Sequence, residues 1–467
     1  MTPPSPEDPR NPPPIALRAG AWDDAGRCRS IHEDREVRIQ GAIPGERVAV
    51  QRTGRSRGAS VDWARVVEVL EPSPGRRLAP CPIHDACGAC GLQEADEETA
   101  LTGRVESALP ALPPPLAAAL APSTRWIRSE GFGYRHKAIV LPDAENGLKL
   151  GGFARGTHDI VDLGGCAVLA PALRAAEEAL REGLAPLFSR GFRATPPGSP
   201  VSSAPGLRAV LLRGNRGGEV LATMVATGNK ATKQLRPLAA RLVKGSSPIV
   251  GVYFQEHHGA GDAVVGTRRA RLLAGARQLI ETVGGADLTV TALGFFQVNP
   301  TVLDKLVQRI LDGIGADVAH VTDLYCGGGA FGIPIAKRLG CSLHGVDTAE
   351  DAIKAATRDA AAAELDARFD AGTPSSVLKT VTTPAGRTVL ILDPPRSGCR
   401  SEDLAAALDI DPDVVVQVSC STRGLARDAT ALLESGRVPT ELVPADMLPQ
   451  TPHLEWLAIW QRSRNRP

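Results

Sequence analysis

The sequence predicts an α/β chain: a Rossmann-like sheet toward the C-terminus, an OB-like β-barrel at the N-terminus, and a mixed α+β central domain between them. Three observations carry this. From about residue 285 onward, apolar strand patterns (318–325, 342–347, 388–393, 414–418) alternate with Ala/Leu-rich helical runs, the signature of βαβ units and a parallel sheet. Residues 15–75 instead hold short alternating segments (36–39, 47–51, 64–70) broken by the turn signal Ile43-Pro44-Gly45-Glu46, which suits a small barrel. Between them, residues 97–275 mix helical runs such as 170–187 with strands such as 209–212 and 220–225.

At 467 residues the chain exceeds one hydrophobic core, so several domains are expected. The predicted boundaries are a disordered tail over 1–14, a barrel over 15–75, a central domain over 76–284, and a C-terminal domain over 285–467. The tail, MTPPSPEDPRNPPP, carries too little apolar surface to fold. With 43% hydrophobic and 22% charged residues, no membrane span and no secretory signal, the composition is ordinary globular. Nine unevenly spaced cysteines without an export signal point to a reducing, cytoplasmic setting rather than a disulfide framework. Neither a membrane nor a DNA partner is expected, and a monomer is favoured.

The net charge is only +1, yet residues 205–280 hold twelve Lys/Arg (among them Arg208, Arg213, Arg216, Lys230, Arg268, Arg269 and Arg271) against Glu219, Glu256 and Asp262. That segment is a candidate polyanion-contacting surface, or else a solvated basic face.

Cys81, Cys87 and Cys90 place three thiols within ten residues. Exposed thiols oxidise and cytosolic disulfides seldom persist, so metal ligation is the expected role. Zinc and an iron–sulfur cluster both want four ligands. Cys166 is the best remote fourth, with His84 an alternative, and the single short knuckle favours iron–sulfur over zinc.

Residues 321–332 run from an apolar strand through Gly327, Gly328 and Gly329 into a helix. Glycines admit a ligand close to the backbone, and a helix N-terminus favours polar or anionic groups. The next strand ends at Asp347, twenty residues after Gly327, where an acid suits the hydroxyls of a ribose. The run also matches the dinucleotide fingerprint. Asp323, placed to meet an ammonium, and the lack of a hydride-transfer site downstream favour S-adenosylmethionine over NAD(P).

Two successive strand patterns end in chemistry: Leu392-Asp393-Pro394-Pro395-Arg396, then Gln417-Val418-Ser419-Cys420-Ser421. In open α/β sheets ligands gather outside the carboxyl ends of the strands, so a carboxylate and a thiol should share one cleft. Arg396 stands where amino-nitrogen methyltransferases often carry a base-stacking aromatic. A thiol near a methyl donor suits instead an unactivated carbon. Carbon 5 of uracil is a poor nucleophile until a thiolate adds to carbon 6, and a base must later remove the carbon-5 proton. Glu455, in a late strand, is the candidate base.

These residues resemble the RNA uracil-5-methyltransferases that make 5-methyluridine, in particular the iron–sulfur members acting on 23S ribosomal RNA. Ile43-Pro44-Gly45-Glu46-Arg47-Val48 looks like the signature of the TRAM domain, an OB-like RNA-binding module. Thr157-His158-Asp159-Ile160-Val161-Asp162 and Phe295-Phe296-Gln297-Val298-Asn299 are similar to two further family motifs. The resemblance implies that Cys81, Cys87, Cys90 and Cys166 hold a [4Fe–4S] cluster. It implies that Gln297, Tyr325, Asp347 and Asp393 contact S-adenosylmethionine, that Cys420 is the nucleophile and that Glu455 accepts the proton. The chain departs from the family at Ala89, His136, Ala330, Asp347 and Ser421-Thr422. The last change bears on how the loop after Cys420 meets the base. The transfer-RNA enzyme, whose members generally lack the cluster and the TRAM barrel, a non-catalytic RNA-binding or assembly factor, and an NAD(P) oxidoreductase are the alternatives.

Overall fold

The computed structural model describes residues 13–56, 60–145, 147–198, 206–228, 231–257, 263–266, 268–380 and 385–463. Most of the expected tail (1–12) lies outside these residues, as do Lys230 and Asp262 of the basic segment. The chain forms two compact units. One comprises Met1–Asp85, Ala89–Ala111 and Leu448–Leu454; the other comprises Ala86–Gly88, Leu112–Met447 and Glu455–Pro467.

The first unit is built on five strands in the spatial order Ile15–Arg18, Arg47–Arg55, Val61–Glu71, Arg35–Gln40, Cys28–His32. Alternation sets the faces: Val37, Ile39, Val48 and Val50 turn inward, fully buried, around Trp22 and Cys28. Arg35–Gln40, Arg47–Arg55 and Val61–Glu71 are where the pattern put strands, and Ile15–Arg18 and Cys28–His32 are additional, but no closed barrel forms among the described residues. The first strand is only four residues long. Beyond it the Gly20 and Ala21 segment exchanges just two backbone bonds with Arg29, at 2.8 and 3.0 Å, so no ladder joins the two sheet edges.

The turn Ile43-Pro44-Gly45-Glu46 is fixed by its own last residue. The Glu46 carboxylate, 1% exposed, accepts from Ile43 N (2.8 Å), Ser73 N (3.0 Å), and Arg76 Nε (2.6 Å) and Nη2 (2.7 Å). Burial pushes its pKa up, but the Arg76 guanidinium and the two backbone donors outweigh it and hold the carboxyl below the usual range.

In the second unit the central sheet runs in the order Arg271–Gly275, Ile249–Glu256, Val220–Thr227, Gly206–Gly214, Lys137–Asp143, Lys149–Phe153, Ile160–Asp162, with Arg193–Ala194 added beside Gly206–Gly214. Helices Pro171–Phe188 and Ala231–Lys244 cover one face. Their Leu173, Leu180, Leu235 and Leu238 pack on Ala138, Val140, Val210 and Leu212. The opposite face holds only a small cluster around Leu141, Ala209 and Leu211.

The C-terminal sheet has seven strands: β1 (His320–Leu324), β2 (Ser342–Asp347), β3 (Ala367–Ala371), β4 (Thr388–Leu392), β5 (Val414–Ser419), β6 (Arg437–Ala445) and β7 (Glu455–Arg462). Their spatial order is β3-β2-β1-β4-β5-β7-β6. β1 to β5 are parallel, and the central β4 and β5 are fully buried and mostly apolar, as strands covered on both faces must be. β7 runs antiparallel between β5 and β6. Helices α1 (Gly332–Leu339), α2 (Glu350–Ala362), α3 (Ser401–Asp409) and α4 (Thr422–Glu434) follow β1, β2, β4 and β5. No helix among the described residues is long and apolar enough to cross a membrane.

Candidate active site

The carboxyl ends of the parallel strands meet at one edge of the C-terminal sheet. Register brings Leu324 of β1 opposite Val346 of β2 and Leu392 of β4, and Leu392 opposite Gln417 of β5. Tyr325, Asp347, Asp393 and Cys420 therefore emerge along this edge. Glu455 joins them for the opposite reason. Because β7 is antiparallel, its first residue reaches the edge where β5 ends, and Ser419 pairs with Trp456. Cys420 and Glu455 flank that last registered pair.

The loop after β1 is held in a conformation few side chains accept. Tyr325 has φ of 60°, in the left-handed region. Its hydroxyl donates to Asp403 (3.2 Å), whose other oxygen accepts from Ser375 N (2.9 Å). One buried carboxylate of α3 thus ties the loop after β1 to the loop after β3. Gly327 N donates to Asp347 (2.9 Å), as does Ala349 N (2.8 Å). A Cβ on Gly332 would strike Asp323 Oδ2 at 2.7 Å, whereas at Gly327 or Gly328 it would meet nothing within 4 Å. Space is left above the glycines, as a ligand needs.

Gln297 reaches the same place from another segment, donating to Asp393 at 3.4 Å. Its loop is clamped by Arg213, whose guanidinium donates to the carbonyls of Phe296 (3.2 Å) and Gly294. Asn299 caps the helix Pro300–Ile314 (3.3 Å from Val302 N) and donates to Ser129 (2.8 Å).

The cleft is short of positive charge. Burial raises Asp323 to about 8, and Asp393 and Asp347 add to the shift against the Gly332 hydrogen bond; Asp323 Oδ1 has no partner among the described residues. Burial likewise lifts the half-buried Asp393 to about 7, with Gln297 opposing and Asp347 assisting. Burial pushes Glu455 well above its usual range, reinforced by Asp393 and only partly relieved by Arg396. The Cys420 thiol rises to about 11 through burial, then Glu455 and Asp393, again with Arg396 opposing. A cationic ligand would draw protons off this group of acids.

The Ser421-Thr422 departure has a structural account. Ser421 caps α4 by accepting from Gly424 N (3.2 Å), and the Thr422 hydroxyl accepts from the Trp456 indole N–H (3.1 Å). The loop after Cys420 is thereby fastened to the residue after Glu455. Gly424 lets this helix approach the Arg396 loop: a Cβ there would lie 3.1 Å from Arg396 O.

The six residues expected at the cofactor and catalytic site thus share one edge or reach it. The four cysteines expected to hold a cluster are divided between the two units. Cys81 and Cys90 are buried and belong to the first unit; Cys87 and Cys166 are half-buried and belong to the second. Cys81 N donates to Gln93 (3.1 Å), and Cys87 O accepts from Arg155 (3.2 Å). His84 is engaged with Glu94 at 2.8 Å. Four thiols suit a [4Fe–4S] cluster chemically. Among the described residues, however, no group of three or more His, Cys, Asp or Glu is placed to hold a metal ion.

No family profile matches the chain. Its fold is that of a mixed α/β methyltransferase. The crystal structure of Pyrococcus abyssi tRNA (uracil-54, C5)-methyltransferase, in complex with S-adenosyl-L-homocysteine, superposes with a TM-score of 0.72 over 96% of this chain and 99% of that one, at 23% identity. An uncharacterised RNA methyltransferase of Parasynechococcus marenigrum is 32% identical over 96% of this chain and 95% of its own length. Another, from Thermosynechococcus vestitus, is 30% identical over 95% and 97%. The chain belongs to this family of RNA methyltransferases.

Proposed function

We propose that the protein methylates carbon 5 of a uridine in RNA, using S-adenosylmethionine. The observation that carries this is the meeting of Cys420, Asp393 and Glu455 at one sheet edge. Three features suit a cofactor bearing two positive groups and a ribose: the excess of carboxyls, the unpartnered oxygen of Asp323, and the open space above Gly327 and Gly328. In this reading Asp347 faces the ribose, while Gln297, Tyr325 and Asp393 wall the pocket. Bound S-adenosylmethionine supplies an electrophilic methyl group.

The target uridine leaves its stack to enter the cleft. Cys420, its thiol proton released to solvent, forms a bond from Sγ to carbon 6 of the uracil, and the electron pair of the 5,6 double bond makes carbon 5 nucleophilic. After carbon 5 is methylated, Glu455 removes its proton; the double bond re-forms and expels the Cys420 thiolate. Cys420 is protonated at rest near neutral pH, and Glu455 holds its proton far more tightly than an ordinary carboxyl. Positive charge in the cleft would favour the thiolate and the carboxylate, so cofactor arrival readies both groups.

The favoured substrate is 23S ribosomal RNA, supported by the cysteine set and by the similarity of residues 43–48 to a TRAM module. The cluster would be structural, and no step passes through it. Transfer RNA is the second reading, favoured by the fold shared with the archaeal tRNA enzyme along nearly its whole length. The test is transfer of labelled methyl to both RNAs by wild type and Cys420→Ala, with mass-spectrometric mapping of 5-methyluridine. Wild type should label one of them and the variant neither, while still binding RNA. Full activity in the variant would refute the mechanism. About four irons per anaerobically purified chain is the cluster expectation, and stoichiometric zinc would replace it.

A further inference from the structure

Lys137 and Arg213 stand directly opposite each other in the central sheet, as registered partners of neighbouring antiparallel strands. Like charges so placed destabilise a sheet. The next registered pair on this face is Ile139 and Leu211, with Ile139 38% exposed. This is the face that the two helices leave uncovered. Arg135 lies two residues before Lys137 and donates Nε to the Lys137 carbonyl at 3.0 Å.

No carboxylate among the described residues pairs with any of the three. Burial lowers Lys137 to about 8, with Arg213 and then Arg135 adding to the effect. Arg213, 4% exposed, is lowered to about 10 by burial. Three cations therefore crowd a partly desolvated spot with no carboxylate among the described residues to neutralise them.

The spot adjoins the candidate active site. Arg213 clamps the loop carrying Gln297, and His136 N, between Arg135 and Lys137, donates to Val298 O at 2.8 Å. Fixed positive charge that costs the fold energy and has no carboxylate partner among the described residues is what an external anion would stabilise. A nucleotide drawn into the cleft brings its flanking phosphodiesters with it.

Resting on the reading that the substrate is RNA, we propose that Arg135 and Lys137, backed by buried Arg213, bind a backbone phosphate of the RNA strand beside the nucleotide entering the cleft. Lys137 acts as a point charge and Arg135 as a planar donor. Arg213 holds the loop below and adds to the potential.

The test measures binding of a short fluorescent oligouridylate across a salt series, for wild type, Lys137→Gln, Arg135→Gln and Lys137→Arg. Each Gln variant should bind about tenfold more weakly at low salt, with the slope of log K against log salt reduced by about 0.7, one single-strand phosphate contact. Lys137→Arg should retain the wild-type slope. The thermal midpoint of Lys137→Gln should not fall, since a like-charge neighbour is removed, which separates a lost contact from a lost fold. An unchanged slope in both Gln variants overturns the proposal, and so does a wild type that fails to bind the oligonucleotide. Wild type that shows the expected slopes yet methylates no uridine refutes the proposed reaction and leaves the phosphate site standing.

Discussion

Glu46 and Glu455 are both buried, 1% and 6% exposed, but their surroundings are opposite. Glu46 takes four hydrogen bonds, two of them from Arg76. Nothing among the described residues donates to the Glu455 carboxyl, and Asp393 repels its charge. A buried carboxylate whose acceptors are all used is bound into the fold as an anion. One left without donors stays neutral until something else arrives, and so can exchange a proton.

The contrast predicts opposite consequences for the same chemical change. Glu455→Gln should lower turnover by about 10²–10⁴-fold, the range for a lost general base. It should trap a covalent protein–RNA adduct that survives denaturing electrophoresis, with no loss of thermal stability. Only free RNA on the gel would break the assignment. Glu46→Gln should do the reverse, since removing one partner of a buried pair costs about 3–5 kcal/mol. Denaturant unfolding would read that loss, while each molecule still folded should retain its chemistry at carbon 5. A stable Glu46→Gln protein would mean that the Arg76 pair contributes little.

The smallest effect concerns pH. Glu46 is depressed in the folded protein, so its contribution is present above the unfolded carboxylate pKa and fades as pH falls through the folded value. Asp393 is raised, from the ordinary value near 3.9 to about 7. Its contribution is complete below the unfolded pKa and is lost as pH rises through about 7. Asp393→Asn should therefore raise the thermal midpoint of the ligand-free protein at slightly alkaline pH and flatten its pH dependence above pH 4. A lower midpoint would remove Asp393 from the set of strained acids.

How far the site was legible follows from strand direction. Asp347, Asp393 and Cys420 end parallel strands, and the rule that ligands gather at carboxyl ends locates them from sequence pattern alone. Glu455 begins an antiparallel strand, so the strand rule does not reach it; its late-strand place made it a candidate, and the family resemblance gave it its role. Glu46 was legible as part of a motif, yet its partner lies thirty residues away at Arg76, and no local pattern announces that pair. Alternation located three of the five N-terminal strands, missing the short Ile15–Arg18 and Cys28–His32, and overstated closure, because inward and outward faces say nothing about whether two edges meet. Asp403 left no signal: it is one acid in the first turn of a helix, and its hold on Tyr325 and Ser375 exists only after two loops converge on that helix. Arg213 stood out only as one charge in a basic segment, although its guanidinium is buried against two carbonyls.

The placement of β7 between β5 and β6 has a consequence for synthesis. β6 is made before β7 but can join the sheet only through it, and Glu455 enters with β7. Chains fold from the N-terminus as they are made, so the nucleophile's strand can settle well before the base exists. β6 and β7 must then be added together, once β7 has left the ribosome. A chain cut short anywhere between Cys420 and Glu455 would keep the thiol but have no glutamate to complete the reaction.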